Sequence, residues 1–400
     1  MTGCRWRSVV PLNIFPERVI VSRFQSRWIR AGLVALTALF SSAAVLADIK
    51  VVQIAPLSGP LADTGKLLRQ GAELAFREAN DKGGVLGQKV VLESLDDGYK
   101  VEETVRLARE LARRPDKPVA LLGLVGTGNM AALLKQGVVD EVGLPIVGVR
   151  TGAVNVRQPG HPLVFHLRAS YESEMEKLVE MASAIGSRQF GVFYQDDPFG
   201  LDGLESARKA LGKRNLSLVA SAGYAKNTTQ VDAAVDTLLK ASAVQAIVMA
   251  SNTQATAAFV QAYRARGGVA QLYALSVNND REIVERIGPE RARGLGIVQV
   301  VPFPFSGVMP LAREYQKALG RQHPGLPPTV TGMEGFIYGK VLLEALRRAG
   351  PQPTREAVVK ALESAPFELG GHVVDFSPQS HEGSQFVELT IIGAGGKLMR

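Results

Sequence analysis

Cysteine is almost missing from this chain: Cys4 is the only one in 400 residues. With no second thiol there is no disulfide framework, and the thiolate ligands of structural zinc sites are absent. The five histidines (His161, His166, His323, His372 and His381) are scattered, without an H-x-x-x-H pair, so no metal site is expected. No G-x-S-x-G elbow occurs either, which removes the commonest nucleophile arrangements, and no catalytic residue or cofactor is assigned. The basic excess is local. Of the formal charge of +8, a balance of five comes from Arg5, Arg7, Arg18, Arg23, Arg27 and Arg30 against Glu17, leaving +3 for residues 48–400. There is no Lys/Arg-rich block interleaved with aromatics, so a nucleic-acid partner is not expected.

The six arginines precede an apolar run, 31–46, that ends Val45-Leu46-Ala47, with small residues where a signal peptidase reads. A run of about 16 apolar residues falls short of the roughly 20 that span a bilayer, which disfavours a membrane anchor. Residues 1–47 therefore read as a signal peptide cleaved before Asp48, although the long charged region would also fit a start codon further in. Cys4 leaves with the signal, and no later cysteine offers a lipid anchor. Export is therefore expected.

What remains is longer than one core usually serves, which favours two lobes. Apolar strands are expected at 49–55, 89–95, 119–123 and 144–149, alternating with helices at 66–82, 101–113 and 130–141; Gly83-Gly84 stops the first helix. A second series has strands at 189–194, 216–220, 246–250, 272–275 and 297–301, with helices at 171–185, 201–211, 231–241, 254–266 and 280–287. Both series open with a strand, a Pro/Gly turn and a helix: QIAPLSGPLADTG and VFYQDDPFGLDG. The fold class is α/β with parallel sheets, the second series copying the plan of the first. Helices at 309–319, 332–348 and 354–364 follow, with Thr354 as an N-cap, and then a β tail. The expected division is lobe 1 at 48–168, lobe 2 at 169–301, a return to lobe 1 at 302–372 and a lobe 2 tail at 373–400. Three crossings, near 167–170, 300–304 and 373–376, would form a hinge.

Ligands of open parallel sheets bind beyond the carboxyl ends of the strands. There, Gly126-Thr127-Gly128-Asn129-Met130-Ala131 matches a dinucleotide pattern as a lone motif. It does not follow the first strand, and Arg150 rather than an acid ends the next one, so an NADP-dependent oxidoreductase is only an outlying alternative. The same loop could hold a carboxylate on backbone N–H groups and the Thr127 hydroxyl, or be a tight turn with no ligand. Arg150, Thr151 and Gly152 would stand beside it, with Arg150 either gripping an acid or closing a salt bridge. Asp96-Asp97 reads as loop polarity near the cleft edge, and Asn227-Thr228-Thr229 as a cap for the helix at 231.

These segments, together with PLSGPLADTGKLLRQGAELAFREANDKGGVLGQKV, resemble the type I periplasmic solute-binding proteins, the branch with the leucine/isoleucine/valine and amide receptors of ABC transporters. The resemblance runs from Ile49 to Arg400. It implies a periplasmic monomer of two Rossmann-like lobes on a three-segment hinge, closing on one small solute (an amino acid, carboxylate or amide) and delivering it to a membrane permease. It also implies a binding set of Thr64, Gly126, Thr127, Gly128, Arg150, Thr151, Gly152, Phe199, Asn252 and Ser276. The position of the acid that meets the ligand ammonium in relatives falls at Ser276, and two aromatic positions fall at Thr64 and Asn252. Either Asp196, Asp197 or Asp280 replaces the lost acid, or the solute has no ammonium, because an unpaired buried charge is expensive. A sensor feeding a signalling partner is the other binding role left open.

Overall fold

The computed structural model describes residues 47–116, 118–241 and 243–400, so the expected signal segment, apart from Ala47, lies outside the described residues. β1 (Ile49–Ala55) leads through α1 (Ala62–Asn80) to β2 (Val90–Asp96), α2 (Val101–Arg113) and β3 (Ala120–Leu122). Then come α3 (Thr127–Lys135), α4 (Val138–Val142), β4 (Ile146–Val147) and β5 (Val164–Phe165). The five strands form a parallel sheet in the order β2-β1-β3-β4-β5. β1 is buried at every position but Lys50, as a strand covered on both faces must be, which is why it reads as an apolar run rather than an alternation.

The second series repeats this plan. α5 (Tyr171–Ala184) leads to β6 (Gln189–Gln195), α6 (Pro198–Gly212), β7 (Ser217–Tyr224), α7 (Asp232–Lys240) and β8 (Ala246–Ala250). α8 (Thr253–Ala265), β9 (Gln271–Ala274), α9 (Asp280–Ile287), α10 (Pro289–Ala292) and β10 (Gly296–Gln299) complete it. Its strands are again parallel, in the order β7-β6-β8-β9-β10. Both sheets thus have the strand order second, first, third, fourth, fifth, which places a topological switch beside the first strand of each.

The chain then adds α11 (Pro310–Gln322), α12 (Val330–Ala349), α13 (Arg355–Leu362), β11 (Phe367–Glu368) and β12 (Val373–Val374). α12 lies along α1 at nearly backbone distance: a Cβ on Gly71 would fall 2.0 Å from the Gly332 carbonyl oxygen, and one on Gly335 would fall 2.1 Å from that of Leu68. The return helices therefore pack on the first sheet's layer. Last, β13 (Glu388–Ile392) and β14 (Leu398–Met399) extend the second sheet antiparallel to β10.

Several local expectations need correction. The segment after β12 does not cross at 373–376. Phe376 meets the Phe165 ring edge-on at 5.2 Å, His381 stacks on it at 3.9 Å, and the Gly383 N–H donates to the His166 carbonyl at 2.8 Å. These contacts hold the chain against β5, and the passage to the second sheet comes between Gly383 and Glu388. β5 itself was not anticipated, being only two residues long. α3 starts at Thr127, three residues early, so the glycine turn is the helix's first turn. α6 starts at Pro198 and not at Leu201, because Asp197 Oδ1 accepts the N–H groups of Phe199 (3.0 Å) and Gly200 (3.3 Å) and caps the helix there. Thr354 caps α13 as expected, but Asn227 caps nothing: Val231 is the N-cap of α7, without a side-chain bond.

Candidate functional site

A cavity opens between the carboxyl ends of the two sheets, and nearly every strand of the repeated plan sends one loop into it. Leu61 and Thr64 follow β1, Tyr99 follows β2, and Val125, Gly126 and Thr127 follow β3. Arg150 follows β4, Tyr171 begins α5, Phe199 follows β6, Asn252 follows β8 and Val277 follows β9. Six of the ten residues expected from the sequence line the cavity: Thr64, Gly126, Thr127, Arg150, Phe199 and Asn252. Gly128, Thr151, Gly152 and Ser276 do not, and each has a structural reason.

Thr151 stands behind Thr127, with their hydroxyl oxygens 2.6 Å apart, and its Oγ1 also accepts the Ala153 N–H at 3.1 Å. It fixes the Thr127 hydroxyl from behind the wall. Gly152 presents no free backbone to a ligand, because Tyr171 covers it. Its carbonyl accepts the Tyr171 N–H at 2.7 Å, and a Cβ there would fall 2.5 Å from the Tyr171 ring. Gly128 lies in the first turn of α3, facing Val101 and Lys226.

Ser276 belongs to a buried polar cluster. Its N–H and its hydroxyl both donate to the Glu174 carboxylate, at 2.9 Å each, and Arg168 donates to its Oγ. Asp196, Asp197 and Asp280 do not replace the acid missing at Ser276. Asp196 is exposed, Asp197 is spent on the α6 cap and on Gln195 Nε2 (2.8 Å), and none of the three lines the cavity. No Asp or Glu is among the described residues that line it.

Arg150 is the one charged residue among the described residues that line the cavity, and it is not free. Its Nη1 pairs with Glu334 of α12, and its Nη2 donates to the Val277 carbonyl oxygen at 3.3 Å, joining the first sheet's loops to the second's. Burial pushes the Glu334 carboxyl up, but Arg150 and Arg168 outweigh it and hold the group below its usual range. The salt-bridge reading of Arg150 is therefore the one the geometry favours.

What the cavity offers a solute is largely backbone. α3 has glycine at its N-cap and no side-chain cap, so the N–H groups of its first turn are left without the usual partner, at the positive end of the helix dipole. The neighbouring helices differ: Ser170 caps α5, Asp197 caps α6, Asn252 caps α8 and Asn279 caps α9. Asn252 is further committed, its Nδ2 donating to Gln195 Oε1 at 3.1 Å.

Aromatic rings complete the wall. Tyr171 and Phe199 meet at 5.3 Å, and Tyr99 is held by a turn in which its N–H donates to Asp97 Oδ1 at 2.9 Å. Burial, with Asp197 adding to it, pushes the Tyr99 phenol well above its usual range, so it stays a neutral hydroxyl. Asp96 braces the other side of this edge, its Oδ1 accepting the Leu57 N–H at 2.8 Å and the Ser58 N–H at 3.2 Å. Tyr99 and Tyr171 were missed from the sequence, and the polar pair Asp96-Asp97 after β2 was the only signal pointing to the first of them.

Two like lobes of loops facing one cavity is the plan of a solute receptor, and the comparisons agree with it. A family model described as periplasmic binding protein matches residues 48–397. The chain belongs to the periplasmic binding protein family. A substrate-binding periplasmic protein from Ralstonia solanacearum is 41% identical, with a TM-score of 0.83, covering 88% of this chain and 99% of that one. A possible leucine/isoleucine/valine-binding protein from Rhodopirellula baltica SH 1 is 27% identical, with a TM-score of 0.84, covering 90% and 98%. Leu/Ile/Val-binding protein homolog 7 of Brucella melitensis is 24% identical over 376 residues, covering 89% of this chain and 90% of its own. Members of the family are solute receptors and not enzymes, which overturns the outlying oxidoreductase alternative.

Proposed function

We propose that this periplasmic binding protein is the receptor of an ABC-type uptake system. It would take one small solute with a carboxylate or amide end and no ammonium group, close two lobes on it, and hand it to a membrane permease. The observation that carries the solute reading is the composition of the cavity wall: an uncapped helix N-terminus with the Thr127 hydroxyl at one side, and no carboxylate among the described lining residues. Backbone N–H groups at a helix start suit an anionic or amide oxygen. An ammonium would lose its water without gaining a counter-charge. Leu61, Val125, Phe199 and Val277 supply an apolar side, which suits a branched or aromatic body. The names of the Rhodopirellula and Brucella relatives point to the same size of side chain.

Thermal-shift screening of leucine, phenylalanine, their deaminated acids and the matching amides tests this. A ligand at 100 times its Kd stabilises by about 2.7 kcal/mol, a readily measured shift. Stabilisation by the amino acids alone would refute the reading. With an acid that does bind, Thr127→Ala is expected to weaken affinity by about 1–3 kcal/mol, the worth of a hydrogen bond to a charged group.

A further inference from the structure

Behind the wall made by Arg150 and Val277 lies a cluster of buried charge that does not line the cavity. Arg168, in the crossing between β5 and α5, is fully buried, as are Glu174 on α5 and Glu334 on α12. Arg168 reaches both carboxylates, with Nη1 3.4 Å from Glu334 Oε1 and Nη2 3.3 Å from Glu174 Oε1. Arg150 pairs with the other side of Glu334, and the Tyr338 hydroxyl donates to Glu334 Oε1 at 2.5 Å. The neighbouring Arg157 spends its Nη2 on the carbonyls of Thr151 and Arg168, at 3.0 Å each, and has Glu382 at 3.6 Å. Every cation of the cluster is matched by a carboxylate. The balance hinges on Arg168, which alone bridges the two acids.

A cluster this dry acts on the cavity through its net charge, because fields are weakly screened where water is excluded. We infer that Arg168 is a specificity-determining residue: by neutralising Glu174 and Glu334 from behind, it denies a solute ammonium any free counter-charge and so fixes the charge class the cavity accepts. This rests on the ammonium-free reading above and assigns its cause to a residue that does not contact the solute. Ser276 serves the same end, its two hydrogen bonds holding Glu174 to Arg168 and away from the cavity.

The test uses three probes of one shape, 4-methylpentanoate, 4-methylpentanamide and 4-methylpentylamine, titrated calorimetrically at pH 8 into the purified protein. Arg168→Met leaves the cluster one negative charge in excess, and the preference for amine over acid should rise by roughly two hundredfold, because one unscreened charge roughly 10 Å away at an effective dielectric of about 20 shifts the two oppositely charged probes by about 15-fold each, in opposite senses. Glu174→Gln leaves one positive charge in excess, and the same ratio should move the opposite way. Arg168→Met/Glu174→Gln restores the balance and should return it to the wild-type value. Loss of packing alone cannot give two shifts of opposite sign that cancel. A ratio unmoved in the variants, or moved in one direction by both, overturns the inference. If Arg168→Met does not fold, Arg168→Gln takes its place in the same three-variant comparison. Should the wild-type protein favour the amine, the ammonium-free reading fails, while the opposite movements still judge the role of Arg168.

Discussion

Replacing Glu334 with glutamine keeps the shape of the side chain and removes one charge, so it isolates what the buried carboxylate does. In the native protein Glu334 is, among the described residues, the only acid paired with Arg150, and it shares Arg168 with Glu174. After Glu334→Gln two buried guanidiniums face one carboxylate. Breaking a buried pair by removing one partner costs about 3–5 kcal/mol, most of it from the charge left unpaired. At roughly 2 °C per kcal/mol for a chain of this size, the melting midpoint should fall by about 6–10 °C. Glu285→Gln is the internal control. Its partner Arg281 lies at 2.8 Å, but both side chains are about half exposed, and such a pair is worth less than about 1 kcal/mol. Both variants are compared with the wild type by calorimetry at pH 7.5. A Glu334→Gln midpoint within about 2 °C of the Glu285→Gln value would refute the account of the cluster as a matched set of charges.

The same carboxyl predicts a pH dependence. Glu334 is held below its free-chain value of 4.5, so its stabilisation is complete above that pH and is lost as pH falls through the lower folded value. The gap between wild type and Glu334→Gln should therefore narrow as melting is followed from pH 5 to pH 3, and a constant gap would contradict the sign. Gly152→Ala would place a Cβ 2.5 Å from the Tyr171 ring and 2.7 Å from its backbone nitrogen. A loss of about 1–3 kcal/mol in stability is expected, with weaker solute binding because Tyr171 lines the cavity; chemical denaturation and calorimetric titration read the two effects. Lys226 holds its ammonium 4.1 Å from the Tyr99 ring centre, and Asp197 lies 4.0 Å away. Lys226→Met should speed solute release about 3- to 10-fold in stopped-flow, the worth of a cation–π contact, while Lys226→Arg restores the slow rate.

The fold was legible because its strands are buried on both faces. Runs such as 49–55 and 246–250 stand out without any periodicity argument, and the two Pro/Gly turns marked the repeat. The site was legible where a loop carries its own signature. Thr127 follows a glycine at a helix start, and Phe199 sits in a Pro-Phe-Gly cap. It was not legible where the role depends on distant partners. Nothing near Arg150 announces Glu334, 184 positions away, and nothing near Ser276 announces Glu174, 102 positions away. Tyr171 was hidden for another reason: the first residue of an amphipathic helix reads as core, and its close contact with Gly152 appears only in the fold.

Both tryptophans, Trp6 and Trp28, precede Asp48. A form of the protein that begins there has tyrosine as its only ultraviolet emitter of consequence, and Tyr99 and Tyr171 are two of its eight. Both residues line the cavity. The receptor thus carries a built-in optical reporter, and titrations can be followed at tyrosine wavelengths without a dye, a label or an introduced fluorophore.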